Sequence, residues 1–522
     1  MPKQKQAPIV LLVLDGWGIT KQTKGNAIAL AKKPQYDKLL KQYPHTQLRA
    51  SGVAVGLPKN QSGNSEAGHL NIGAGRVVKQ DAVVISESIA DLTFNKNPAF
   101  QAASQHVMQH GSTLHLIGLL SNGQSGHSNP HHVRALIDWS RREKINKTLL
   151  HVFTDGRDSH PREAMRLVTE LRNYLRNEAT TDGLRGEWIA TLMGRFYAMD
   201  RKKDWSRTER AYHAMVCGEG ERAESPLKAI TQAYNRNETD EYIQPYILHH
   251  QGKPIGTIND DDAVIFFNLR SDRARQMTKP FVQKDFNKKN PGAFRRKKVL
   301  HNLLFVALTE FGPDLDHILT AYPSAPLNQT LPFALAGLRQ IYIAESEKYA
   351  HVTYFFNGGH ADPIADEERR LVPSPDIDSY DQQPAMSVHA VADEVVTYLA
   401  THDFIMANFA NADMVGHTGN LAASIKAVEE IDKALSTILA AAKKYGATVV
   451  ITADHGNAER KLDLKTGEMY TEHTRFPVPF ILIEPKKIKR TLRAGKLADV
   501  APTILKLMGM PQPPLMTGRA LF

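Results

Sequence analysis

Short apolar runs recur along the chain, each closing on turn or acidic residues: IVLLVLDG (9–16), TLHLIGLLSNG (113–123), LLHVFTDGRD (149–158), AVIFFNLRSDR (263–273), FIMANFANAD (404–413) and ATVVITADHG (447–456). Runs this short and this continuously apolar predict buried strands. Between them lie amphipathic stretches such as NLAASIKAVEEIDKALSTILAAAKKYG (420–446), whose apolar residues fall three or four apart, the period of a helix. The alternation predicts an α/β fold with largely parallel sheets. In such sheets ligands gather beyond the carboxyl ends of strands, where the polar residues of these runs sit.

At 522 residues the chain is longer than one core usually supports, so two domains are expected. It contains no internal repeat and no long low-complexity tract. Residues 284 to 330, with Pro291, Gly292, Pro313, Pro323 and Pro326 among polar neighbours, predict a linker. A second crossing is expected just after GAGR, near Val77 to Gln80. Together the two crossings make the middle of the chain a domain inserted into another.

Composition, 42% hydrophobic and 23% charged, is that of a globular protein. Basic residues precede the first apolar run, as in a short export signal, but Ile9 to Leu14 is only six residues and ends in Asp15. That is too short for a signal peptide or a membrane helix, and no other stretch could span a bilayer, so a soluble, cytoplasmic protein without membrane association is expected. The single cysteine, Cys217, excludes an internal disulfide and is expected to be a buried apolar residue. Metal binding is thereby left to His, Asp and Ser. The net charge of +10 raises the question of nucleic acid. The densest basic runs, KKNPGAFRRKK (288–298) and KKIKRTLRAGK (486–496), lack the interleaved aromatics of a single-strand binder, and solvated surface is the expected account. A positive field also concentrates a small anionic substrate.

The candidate chemistry lies at the strand ends. Asp15 closes one predicted strand, DMVGH places Asp413 and His417 four apart, DHG sets Asp454 beside His455, and EHT supplies His473. Neighbours on a strand point to opposite faces, so Asp454 and His455 reach one ion only from a turn, which Gly456 allows. Three Asp with three His suffice for two divalent ions such as Mn²⁺ or Zn²⁺. Each alone also reads as a cap, a turn residue or a satisfied histidine. In QSGNSEAGHLNIGAG (61–75), Ser65 stands at a glycine-flanked turn opening a helix. Beside a divalent cation its hydroxyl could attack phosphorus; alternatively it is an N-cap with Glu66 in the first turn. Gly63 and Gly68 are expected to let backbone approach a phosphoryl group. In the middle of the chain, GRDSHPRE supplies Arg157 and Asp158, GRFYAMDRKKDWSR supplies Arg195 and Arg201, and NLRSDRARQ supplies Arg270 and Arg273. Arginine forks match carboxylate and phosphate oxygens, which suggests a small substrate carrying both.

Taken together, LLVLDGWGI, ASGVAVGLPKNQSGNSEAGHLNIGAGRVV, GRDSHP, GRFYAMDR, FFNLRSDRARQ, IAESEKYAHVTYFFNGG, NFANADMVGHTGN and ADHGNAE resemble cofactor-independent phosphoglycerate mutases of the alkaline phosphatase superfamily, over nearly the whole chain. The resemblance implies an alkaline-phosphatase-like phosphatase domain from residues 1–79 and 321–522, with an α/β phosphotransferase domain, 80–320, inserted. It implies two Mn²⁺ ions and no organic cofactor. Asp413, His417 and His473 would hold one ion; Asp15, Ser65, Asp454 and His455 would hold the other. Ser65 falls at the nucleophile position, and His127, Arg157, Asp158, Arg195, Arg201, Arg270, Arg273 and Lys348 at substrate positions. The implied activity is interconversion of 3- and 2-phosphoglycerate in glycolysis and gluconeogenesis by a monomer, through phosphoserine at Ser65. Asp158 would serve as acid/base for the glycerate hydroxyls, Lys348 would neutralise the transferring phosphoryl group, and the two domains would close over one cleft to exclude water. Where the family usually reads SDGGVHSH this chain has SNGQSGHSN (121–129), and GRDSHP replaces the more usual GRDTPP, with His160. A related metal-dependent phosphatase or phosphopentomutase would keep the metal residues without the arginines. A basic nucleic-acid binder would have no need of Ser65 and the six Asp/His residues together.

Overall fold

A computed structural model describes residues 7–522 apart from 178–185, Pro313, Asp316, Ala325, Lys465 and Lys487. The basic residues of 1–6, and Pro313 and Lys487 of the linker and basic-run readings, lie outside the described residues. The chain divides into two units, residues 1–80 with 325–522, and residues 81–324. Each of the six apolar runs forms a strand.

The first unit holds an eight-stranded sheet in the order Glu368–Val372, Gln340–Glu345, Phe404–Phe409, Ile9–Leu14, Thr448–Thr452, Val478–Ile483, His45–Arg49 and Gly495–Lys496. The first five run parallel, and Val478–Ile483 is antiparallel to both of its neighbours. Ile9–Leu14 lies central and is buried at all six positions, which is why it reads as an unbroken apolar run. The long amphipathic stretch is the helix Leu421–Tyr445. Asn420 caps it, its side chain accepting from the Ala423 N–H, and Gly446 ends it at φ +66, a conformation glycine takes without strain. One stripe of it, including Val428, Ile431, Leu435 and Ile438, is buried in the core.

The second unit holds a sheet in the order Ile318–Tyr322, Leu304–Thr309, Ala263–Phe266, Leu114–Leu120, Lys147–Thr154, Gly186–Gly194, Tyr246–His250 and Glu221–Ala223, with Lys253–Pro254 pairing beside Tyr246–His250. Its first six strands are parallel. The expected linker is corrected here: Leu304–Thr309 and Ile318–Tyr322 lie inside residues 284–330 as sheet strands, and Val306 and Leu308 are fully buried. Of the prolines that suggested a linker, Pro291 precedes the first of these strands and Pro323 and Pro326 follow the second. Cys217 is also corrected: it ends the helix Trp205–Cys217 and is only partly buried.

Two local readings around Ser65 change. The helix Ser65–Ala74 is capped by Asn64, whose side chain accepts from the Ala67 N–H, so Ser65 is the first helical residue and its hydroxyl is free of capping. The glycines make room for protein. A Cβ on Gly68 would stand 2.7 Å from both the Cβ and the carbonyl oxygen of Asp454, and one on Gly63 would lie 2.1 Å from the Ala50 carbonyl oxygen. The helix can therefore pack directly against the turn that carries Asp454.

Inside the second unit runs a chain of buried polar groups. Asp262 Oδ2 lies 3.0 Å from His115 Nε2, His115 Nδ1 lies 2.9 Å from His151 Nε2, and His151 Nδ1 lies 2.9 Å from Thr191 Oγ1. Burial favours the neutral form of both rings, and a carboxylate only accepts, so protons run one way: Thr191 donates to His151, His151 to His115, and His115 to Asp262. Burial holds both below an imidazole's usual 6.5; for His115 it outweighs Asp262, and Lys147 adds to it.

Gly68→Ala is expected to cost about 1–3 kcal/mol by overpacking, although alanine is the better helix former, read as a lower urea midpoint. Because the folded rings bind protons more weakly than unfolded ones, stability is full above about pH 6.5 and falls as pH drops through the range below it. His151→Gln should flatten that slope in urea titrations between about pH 6.5 and 5; an unchanged slope would assign the acid sensitivity to other groups.

Candidate metal and phosphoryl-transfer site

In the first unit, Asp15, Lys348, Asp413, and Asp454 with His455 all follow the carboxyl ends of parallel strands. His417 lies in the short turn Gly416–Thr418 after Asp413, His473 lies in the approach to Val478–Ile483, and Ser65 opens its helix. These eight side chains converge. Ser65 Oγ stands 2.9 Å from His455 Nε2 and 3.3 Å from Asp15 Oδ1. Lys348 Nζ donates to Ser65 Oγ at 2.9 Å, Asp15 Oδ1 at 2.8 Å and Asp413 Oδ2 at 2.6 Å. His417 and His473 place Nε2 at 3.3 and 3.2 Å from Asp413 Oδ1.

The donor set fits divalent cations. Each of the three imidazoles has its Nδ1 against a backbone carbonyl: His417 with Thr471, His473 with Gly63 and His455 with Gly456. A carbonyl accepts only, so Nδ1 carries the proton and Nε2 presents a lone pair inward. His417 Nε2 and His473 Nε2 are then two acceptors only 2.9 Å apart, an arrangement that a shared cation relieves. Asp454 Oδ2 is fully buried, and its polar neighbours are two imidazole nitrogens, His69 Nδ1 at 3.3 Å and His455 Nε2 at 3.5 Å. Two overlapping groups bring their ligand atoms within 4.8 Å of one another: Asp413, His455 and His473, and Asp15, Asp454 and His455. Three buried carboxylates face one ammonium, so negative charge is in excess. Burial, with Asp454 and Asp413 nearby, pushes Asp15 up to about 7. Burial works against the Lys348 ammonium, yet the three carboxylates hold its pKa well above the usual lysine range.

Several members of this site escaped the sequence reading. Asn408, on the strand Phe404–Phe409, donates to Asp15 Oδ2 at 2.8 Å and to His69 Nε2 at 3.0 Å. Asn457 donates to Asp413 Oδ1 at 2.9 Å, and its own oxygen accepts from Lys461 Nζ. Lys461 also donates to the Gly416 carbonyl at 2.7 Å, and burial lowers its pKa to about 8. A lone Asn in an apolar strand and the Asn of ADHGNAE were the available signals.

The second unit gathers the other group. Arg195, 2% exposed, donates from Nη1 to Asp155 Oδ1 at 2.6 Å and Asp158 Oδ2 at 2.8 Å. Ser125 Oγ donates to Asp158 Oδ2 at 2.7 Å. Asp272 lies 3.0 Å from Arg201 Nη1, 3.6 Å from Arg270 Nε and 4.0 Å from His127 Nδ1. Arg273 donates to the Met199 carbonyl at 3.2 Å, and Arg157 lies 3.6 Å from Glu241. Asp155, Asp272 and Ser125 were not foreseen, although FTDGRD and NLRSDR contain the first two. Burial, with Arg195 and Arg270, pushes His127 down to about 3, so it stays neutral. Against its own burial, Asp158 is held below the usual carboxylate range by Arg195 and is ionised. The departures from the family pattern fill local roles. Asn129 caps the helix Pro130–Arg142, accepting from the His131 N–H, Asn122 donates to Glu163, and His160 Nδ1 accepts from the Arg162 N–H.

A model of the metalloenzyme superfamily matches residues 7–512. The 2,3-bisphosphoglycerate-independent phosphoglycerate mutase of Moorella thermoacetica is 46% identical over 516 residues, covering 98% of each chain, and that of Clostridium acetobutylicum is 45% identical over 519 residues, covering 99% of each. The solved phosphoglycerate mutase of Leishmania mexicana, at low cobalt concentration, superposes with a TM-score of 0.79 at 31% identity, covering 100% of this chain and 99% of that one. On matches of this length and identity, the chain belongs to the metalloenzyme superfamily and, within it, to the 2,3-bisphosphoglycerate-independent phosphoglycerate mutases.

Proposed function

We propose that this protein is an isomerase interconverting 3-phosphoglycerate and 2-phosphoglycerate through a phosphoserine at Ser65, with two Mn²⁺ ions at the first-unit site. The observation that carries it is the placement of Ser65 Oγ, reached at once by Asp15, His455 and Lys348 within one buried acidic cluster. Asp413, His417 and His473 would hold one ion, and Asp15, Ser65, Asp454 and His455 the other; when bound, the ions would supply charge to the serine oxygen and the phosphoryl oxygens.

The rest falls to the chain's own residues. Ser65 Oγ bonds to phosphorus as the bond from phosphorus to the C3 oxygen of the substrate breaks, and that oxygen takes up a proton. Asp15 Oδ1 and His455 Nε2 are the acceptors within reach of the Ser65 proton. Lys348, kept charged, donates to the serine oxygen and opposes the charge that builds there. In the return step the C2 hydroxyl gives up its proton, its oxygen bonds to phosphorus, and Ser65 Oγ leaves. Five arginines of the second unit, Arg157, Arg195, Arg201, Arg270 and Arg273, stand with four acids, Asp155, Asp158, Asp272 and Glu241, which leaves positive charge for the glycerate carboxylate. Asp158, ionised, suits the role of proton acceptor from a glycerate hydroxyl, and His127, neutral, can hydrogen bond the substrate.

Purified enzyme with Mn²⁺ should interconvert the two phosphoglycerates without added 2,3-bisphosphoglycerate. Ser65→Ala should lower kcat by about 10,000-fold or more and abolish the acid-stable phosphoserine trapped by quenching turnover. Lys348→Gln should lower kcat by about 100- to 1,000-fold. Full activity in Ser65→Ala would overturn the phosphoserine route, and net release of inorganic phosphate by the wild type would make the protein a phosphatase. Chelation should abolish activity and Mn²⁺ should restore it; activity undiminished after exhaustive chelation would refute the metal assignment.

A further inference from the structure

At the edge of the first unit's sheet lies a cavity of about 850 Å³ that none of the metal-cluster residues lines. Its walls carry Arg49, Arg475, Arg493, Lys496 and Arg519, with Asp499 as the one acid. The arrangement is built in by the fold. Arg49 ends the strand His45–Arg49, and the parallel register of Gly495–Lys496 sets Lys496 directly beside it. Like charges paired across neighbouring strands oppose folding rather than support it. Ser51 Oγ donates to the Arg475 carbonyl at 3.1 Å and ties the third cation to the same edge.

The one acid is already spoken for. Asp499 is 3% exposed, its Oδ2 accepts from Arg493 Nη1 at 3.2 Å and from the Lys496 N–H at 3.1 Å, and its Oδ1 accepts from the Arg519 N–H at 2.9 Å. Arg493 spends its remaining donors on the carbonyls of Ala494, Arg519 and Ala520. Among the described residues, the guanidiniums of Arg49, Arg475 and Arg519 have no hydrogen-bond or ion-pair partner. Three exposed arginines without protein partners and Lys496 thus line a concave space whose only carboxylate is occupied.

We propose that this cavity is a binding site for a small polyphosphate, separate from the mutase centre. Arginine forks bind phosphate oxygens two at a time, and several around one hollow suit an anion bearing adjacent phosphates. The lining has no aromatic side chain on which a base could stack, which favours the phosphate groups over a nucleic acid strand as the recognised element. Arg475 lies two residues from His473, so an occupied cavity would bear on the chain segment that supplies that imidazole.

Inorganic tripolyphosphate is the probe, titrated calorimetrically into the full-length protein. Binding should weaken steeply with added salt, and Arg49→Gln with Arg475→Gln should raise Kd by about tenfold or more while mutase turnover and the thermal unfolding midpoint stay at wild-type values. Arg270→Gln, in the second unit, should leave this binding intact, and saturating phosphoglycerate should not displace the probe. An unchanged Kd in the double variant, competition by phosphoglycerate, or no heat at low ionic strength would each overturn the proposal. So would a single-stranded oligonucleotide that binds more tightly than tripolyphosphate through the same two arginines.

Discussion

Everything in the first unit answers to the burial of three carboxylates, Asp15, Asp413 and Asp454, within a few ångströms of one another. Charges of one sign held close in a poorly solvated space repel strongly, and no packing of apolar side chains compensates for that. The fold responds with cations and fixed dipoles. Lys348 bridges two of the acids, Asn408 and Asn457 each donate to one, and the backbone N–H groups of Gly16 and His455 point at Asp454. Three carbonyls turn the imidazoles so that lone pairs face the same space. Such an arrangement needs supports that do not yield, and the carboxyl ends of adjacent parallel strands supply them.

The second unit solves the opposite problem. There five arginines outnumber four acids, Asp155, Asp158, Asp272 and Glu241, and the acids hold guanidiniums in place instead of neutralising them all. Arg195 shows the division of labour: buried, it spends one nitrogen on two carboxylates, while burial, together with the guanidiniums of Arg195, Arg201 and Arg157, lowers the pKa of Arg273. One unit thus carries an acidic, imidazole-rich centre and the other a basic one.

Much of this was legible before any coordinates. Continuous apolar runs gave away the parallel strands because burial on both faces removes the alternation that would otherwise mark them, and ligands sit where those runs stop. The 25-residue helix was visible through its stripe and its Asn and Gly ends. The linker reading failed because proline and glycine report on loops and say little about short strands between loops; Leu304–Thr309 is only six residues long, with irregular chain on both sides. Ser65 was misread as a possible cap because Asn64, one residue earlier, does that work. Supporting groups such as Asn408, Lys461 and Asp155 were missed for a common reason: they act through a second side chain, and only the folded chain shows which one.

The first unit is split in sequence, and that has a consequence for how the enzyme comes into being. Ile9–Leu14 takes its neighbours from Phe404–Phe409 and Thr448–Thr452. A chain emerging from the ribosome therefore holds Asp15 and Ser65 long before it holds Lys348 and His455, while residues 81–324 have every strand of their own sheet in hand. The cluster around Ser65 can close only when synthesis is nearly finished, and a half-made chain carries that serine without the imidazole and ammonium that flank it in the finished unit.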